Sequence, residues 1–95
     1  MLLLSWTTDI PTAGTAVQIK NVPDHVRVLH VQAKPGNTGN IAFGDSAVLM
    51  TAGLTLKPGQ WRTLAFGNGS IPLSNFYANA ATNGDDIEWL AIVGE

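Results

Sequence analysis

The sequence predicts an all-β fold, a compact antiparallel β-sandwich or jelly-roll-like domain of short strands and tight turns. Three observations carry that reading. Turn signals punctuate the chain at short intervals, as in all-β sandwiches and barrels: Lys34-Pro35-Gly36-Asn37, Lys57-Pro58-Gly59-Gln60, Asn68-Gly69 and Asn83-Gly84. The segments between them alternate apolar and polar residues with the period of a strand. No window sustains helical spacing. The chain of 95 residues is long enough for one core and too short for two.

The elements follow in order. Residues 1–12 open with Leu2, Leu3, Leu4 and Trp6 and read as an apolar N-terminal arm or as the first strand; residues 13–95 form the sandwich. AVQIK (16–20) is a short strand. HVRVLHVQA (25–33) sets Val26, Val28, His30 and Gln32 on one face and Arg27, Leu29, Val31 and Ala33 on the other. Its apolar side changes along its length, which reads as a strand with a covered outer face. The run 37–61 divides into GNIAFG, AVLM and LTL, short strands separated by Gly44-Asp45-Ser46 and Thr51-Ala52-Gly53. In Lys57-Pro58-Gly59-Gln60 the proline presets φ and the glycine takes φ > 0, a type II turn; Lys34-Pro35-Gly36-Asn37 reads the same way. QWRTLAF and NFYANA are further strands, with a helical turn over 74–84 as the alternative for the second. Asn68-Gly69 and Asn83-Gly84 suit primed hairpin turns. DIEWLAIVG (86–94) alternates most cleanly and reads as a central strand with Trp89 inward.

Composition excludes several functions. With no cysteine, disulfide frameworks, thiolate zinc sites and thiol nucleophiles are absent together. The basic residues Lys20, Arg27, Lys34, Lys57 and Arg62 are scattered and the net charge is −2, whereas nucleic-acid binding needs a concentrated positive field. No apolar run reaches the ~20 residues of a membrane helix. MLLLSWTT is too short for a signal peptide and lacks a basic n-region, so a soluble product made in a cytoplasm is expected.

Candidate chemistry is sparse. His25 and His30 alternate onto opposite strand faces, which forbids a shared metal. Ser46 sits in no nucleophile elbow. Asp85, Asp86 and Glu88 could attract calcium but match no EF-hand spacing, and a solvated turn is the simpler reading. Gly67-Asn68-Gly69 lacks the lysine and helix of a phosphate loop, and Asn68-Gly69-Ser70 is a glycosylation pattern without a secretory context. No catalytic, metal or cofactor residue is assigned. Trp61 reads as core more than interface. A run of exposed Leu and Trp is a liability unless covered, so Leu2, Leu3, Leu4 and Trp6 are the candidate interface.

Three stretches, VRVLHVQAKPGNTGNIAFGDSAV, GLTLKPGQWRTL and LSNFYANAATNGDDIEWLAIVG, together resemble small virion proteins of tailed bacteriophages. In those, a strand leads to a Gly-Asn-Ile/Val-x-x-Gly-Asp hairpin. A Gly-x-x-Leu-x-Pro-Gly turn, a Phe/Tyr-x-x-Ala segment and a final alternating strand follow. The likeness runs over about residues 17–94 and rests on turn and strand signals that other β-sandwiches reuse. It implies a non-enzymatic capsid decoration (cement) protein on the virion surface, bound to the major capsid protein, as a homo-oligomer (trimer or dimer). It brings no cofactor and no catalytic motif. Two other readings are a tail or head-fibre appendage module that binds a host glycan or another virion protein, and a small carbohydrate-binding or cupin-like domain. The appendage reading predicts an exposed patch of aromatic and polar side chains; the last predicts a concave groove with converging polar groups.

Overall fold

The computed structural model describes residues 2–93, Leu2 by its backbone alone. The chain forms β1 (Leu2–Ile10), β2 (Val17–Gln18), β3 (His25–Ala33), β4 (Ile41–Gly44), β5 (Leu54–Leu56), β6 (Trp61–Ala65), β7 (Ile71–Pro72), a 3-10 turn over Leu73–Asn75, β8 (Tyr77–Ala80) and β9 (Asp85–Val93). One sheet runs β1-β9-β3-β6 with β7 also paired to β3; the other runs β2-β8-β4-β5. All pairings are antiparallel. The pairs β1·β9, β2·β8, β3·β6 and β4·β5 are those of one long ribbon, folded back between β4 and β5 and rolled so that successive pairs fall in alternate sheets. That is a jelly roll. Turn signals alone leave this strand order open; the all-β sandwich they predict is the fold observed.

Alternation explains the core. Ile87, Trp89 and Ala91 of β9 face inward with Leu29, Val31 and Ala33 of β3, against Ile41, Phe43, Leu56, Ala78 and Ala80 of the second sheet. β9 lies between β1 and β3, so its inner side chains are covered on both sides. β1 is a full strand of the sandwich, in unbroken register with β9 from Leu2↔Val93 to Ile10↔Asp85. Residues 2–10 are therefore part of the body rather than a detached arm.

Several local expectations change. In β3 the register slips between Val26 and Val28 against β9. Val26 faces the core with Leu29 and Val31, while Val28 and His30 face outward. Arg27 is the extra residue of a β-bulge, and the bulge, not a covered outer face, moves the apolar side along the strand. His25 and His30 thereby share the outer side; five residues at the strand rise put them about 16 Å apart, so distance rather than parity forbids a common metal. AVLM is not a strand. Residues 45–53 form a loop with only an isolated bridge, Leu49↔Ala52, pinned by buried Val48. The alternative of a helical turn over 74–84 does not hold, since Ala78 and Ala80 lie in strand β8; a 3-10 turn precedes that strand over Leu73–Asn75.

The turns divide by glycine conformation. Gly59 takes φ 82° and Gln60 N–H donates to Lys57 C=O at 2.8 Å, the type II turn predicted. At 34–37 the Asn37 N–H···O=C Lys34 bond forms at 3.0 Å, yet Gly36 is not among the glycines of positive φ, so type II is excluded there. Neither Asn68 nor Asn83 adopts positive φ, which removes the type I′ reading of both Asn-Gly pairs. β6 and β7 both pair with β3, so Asn68-Gly69 joins no hairpin at all.

Candidate interaction surface

The outer face of the β1-β9-β3-β6 sheet spans four paired strands. Register places its side chains in rows. Leu3, Ile92, Val28 and Ala65 form an apolar row; Ser5, Leu90, His30 and Thr63 form the next; Thr7, Glu88, Gln32 and Trp61 the third; Asp9 and Asp86 close the acidic end. Leu3 is 62% exposed, Trp61 55% and Leu90 37%. Between them lies an open depression of about 550 Å³, lined by Ser5, Thr7, His30, Gln32, Glu88 and Leu90 among others. The sequence reads Trp61 as core more than interface; it stands on the surface instead, because the inward positions of β6 are Arg62 and Leu64, opposite Val31 and Leu29.

The polar groups on this face are oriented by neighbours. His30 Nδ1 lies 2.9 Å from Thr63 Oγ1, and its ring sits 5.3 Å from the Trp61 ring at a 37° tilt. Gln32 Nε2 donates to Gly59 C=O at 3.1 Å, which fixes the amide and turns its oxygen away from the turn. At the acidic end Asp86 has its pKa raised. Partial burial is the largest cause; the hydrogen bond and charge of Asp9 directly opposite add to it, Lys34 opposes, and Asp85 adds slightly.

The four predicted interface residues do not share a face. Leu3 points outward with the apolar row. Leu4 points inward and packs against the core. Trp6 has the same inward parity, opposite Trp89, but is 62% exposed because the facing strand β2 is only 2 residues long; the Lys20 ammonium sits over its ring, 4.7 Å from the centroid. The Leu2 side chain lies outside the described residues. What the four have in common is the edge strand β1.

Two buried polar groups that sequence reading missed tie elements together, one beneath this surface and one on the second sheet. Thr8 Oγ1 donates to Ile19 C=O at 2.6 Å and accepts from Trp89 Nε1–H at 3.1 Å, tying β1 to the opposite sheet. Asn79 donates to Val48 C=O at 3.1 Å and fastens the 45–53 loop. A buried Thr or Asn in an apolar strand is the sequence signal for such a bond.

Elsewhere the chemistry is thin. Asp85 is buried, and its two carboxylate oxygens accept from Thr38 and Gly39 N–H at 3.0 and 2.9 Å, while Asp86 and Glu88 point to the outer face. Among the described residues no cluster of His, Asp or Glu could hold a metal. His25 Nδ1 lies 3.1 Å from Ser70 Oγ on the exposed surface, with no carboxylate of the described residues bonded to the ring. A second cleft of about 470 Å³ lies where β5 and β6 part, walled by Phe43, Leu54, Leu64, Ile71 and Phe76. The Phe43 and Phe76 rings stack there at 5.6 Å. Its lining is mainly apolar, with Asp45 and Asn75 as the polar side chains. Among the described residues no helix is long and apolar enough to cross a membrane. No family model, curated protein or solved structure matches this chain.

Proposed function

We propose that this chain is a non-enzymatic virion structural protein, a capsid decoration protein that binds the assembled major capsid shell by the outer face of the β1-β9-β3-β6 sheet. The observation that carries the reading is that face itself: a continuous surface, acidic toward one end, with Leu3, Leu90 and Trp61 exposed on a domain whose buried polar side chains are all bonded among the described residues. Exposed aromatic and aliphatic side chains ringed by polar ones suit adhesion. A protein that binds only the assembled shell stabilises it by mass action, and repetition over the lattice multiplies a modest contact. The virion setting comes from the resemblance of the turn and strand motifs.

A second reading is supported by one specific feature. Trp61, His30, Gln32 and Glu88 form an exposed aromatic-plus-polar patch, the kind an appendage module would set against a host glycan. The test is the copy number of the chain in purified virions of the phage that encodes it, measured by quantitative mass spectrometry against the major capsid protein. A fixed, shell-like proportion supports decoration. A few copies per particle transfers the chain to an appendage, and absence from the particle removes both. With decoration, Trp61→Ala lowers occupancy on shells about tenfold or more, as loss of an aromatic anchor does.

A further inference from the structure

We propose that β1 is a homodimerisation edge, pairing antiparallel with β1 of a second copy about a two-fold axis at Ser5. The argument starts from how the sheet edges are protected. An open edge strand carries unpaired N–H and C=O groups and pairs with other chains unless short length, proline, lysine, a bulge or an inward-pointing charge prevents it. Three of the edges carry such protection. β2 has 2 residues and β5 has 3. β6 turns Arg62 toward the inner side, and β7 beside it ends in Pro72. β1 has none of these. It is 9 residues long, contains no Lys, Arg or Pro, and runs without a bulge along β9. Its free edge is also where Leu3 and Trp6 are most exposed. The missing occupant is therefore a strand.

The sequence of β1 suits a copy of itself. Two-fold pairing keeps each face matched only when the paired positions have the same parity. Centred on Ser5, it sets Leu3 opposite Thr7 of the other copy and Leu4 opposite Trp6, which covers the exposed indole. Asp9, the one charged residue of the strand, does not face Asp9 of the other copy in this register, so the two carboxylates do not meet. Centred on Trp6, the same pairing would oppose Leu3 to Asp9, which the Ser5 register avoids. The result is one continuous sheet through both copies, with the two outer faces side by side. It does not depend on the capsid reading: a dimer absent from virions, or a virion-bound monomer, separates the two.

The test uses sedimentation equilibrium of the full chain and cross-linking through an introduced thiol, since the chain has no cysteine. The expected mass is about twice the 10.0 kDa chain at tens of micromolar. Leu3→Lys/Thr7→Lys, both at exposed outer positions, returns a folded monomer. Residues facing across antiparallel strands have Cα atoms about 4.5–5.5 Å apart, within disulfide reach. Ser5→Cys on the axis therefore oxidises to a covalent dimer roughly tenfold faster than Ala65→Cys on β6, because only the first thiol meets its copy at high local concentration. A monomer up to about 1 mM, a dimer indifferent to the paired lysines, or equal cross-linking at both positions overturns the proposal.

Discussion

Thr8→Val isolates the bond that makes β1 part of the body. Valine has nearly the shape of threonine, so packing is preserved while the hydroxyl is lost. Two partners are then stranded: the Ile19 carbonyl, bonded at 2.6 Å, and the Trp89 indole N–H, at 3.1 Å. Thr8, Ile19 and Trp89 are all buried, so water cannot replace the hydroxyl freely. A buried group left without its partner costs about 1–3 kcal/mol, and two of them sharing one site give a loss of about 2–4 kcal/mol. Against a total of about 5–15 kcal/mol for a domain of this kind, that is a large fraction. At about 4–8 °C per kcal/mol for 60–100 residues, the melting temperature falls by about 10–25 °C. Urea titration and thermal melts of Thr8→Val, Trp89→Phe and the double variant measure it. Removing the indole N–H first relieves one stranded donor, so the double variant is less unstable than the sum by about 1 kcal/mol. Thr8→Ser keeps both bonds and loses only a methyl, about 0.8 kcal/mol. If Thr8→Val costs under about 0.5 kcal/mol, or the double variant is additive, the hydroxyl does not tie the sheets.

Asp86→Asn stabilises the fold at neutral pH by about 0.2–1 kcal/mol, the range for a like-charge pair directly across strands. A raised carboxylate pKa means the folded state disfavours the charged form. The penalty is present above the folded pKa and fades as pH falls through the carboxylate range, so variant and wild type converge in acid melts. Asp85→Ala strands the N–H groups of Thr38 and Gly39 and costs about 1.5–3 kcal/mol by urea titration; hydrogen exchange rises first in residues 34–40. Gly59→Ala forces φ 82° on a residue with a Cβ and costs about 1 kcal/mol, whereas Gly36→Ala, with open space around it and ordinary φ, leaves the melt within about 0.5 kcal/mol.

Strict alternation made much of the fold legible. DIEWLAIVG announced a central strand with Trp89 inward because both its neighbours bury the same parity. Lys57-Pro58-Gly59-Gln60 announced its turn because the proline and glycine leave few other conformations. What alternation could not supply was any change of parity within a strand. The bulge at Arg27 lets Val26 and Leu29 face the same core although they are three apart, and no residue there signals it. AVLM has a strand's apolar density, but Asn79 bonds Val48 C=O and draws the segment into a loop by a contact distant in sequence. Trp61 reads as core because it is large and apolar; its parity on β6 sets it on the uncovered outer face, while Arg62 takes the inner parity at the sheet edge and still reaches solvent.

That same strand order explains why the candidate surface and the candidate edge adjoin. In this jelly roll β1 and β6 are the two ends of one sheet, so an outer face reading Leu3, Ile92, Val28, Ala65 crosses the whole sheet in a single register row. The second sheet differs: its edge strands β2 and β5 are only 2 and 3 residues long, and its exposed apolar side chain, Leu49, stands on the 45–53 loop. Pairing through β1 would carry the apolar row, by way of Leu3 opposite Thr7 of the second copy, into that copy's row of Thr7, Glu88, Gln32 and Trp61 without turning either face, whereas a contact through β6 would have to accommodate Arg62. The geometry thus couples the two surfaces. Leu3→Lys alone lies on both, and it weakens self-association and shell binding together, while Trp61→Ala, remote from β1 on the far strand, leaves the oligomeric state unchanged and lowers shell occupancy only.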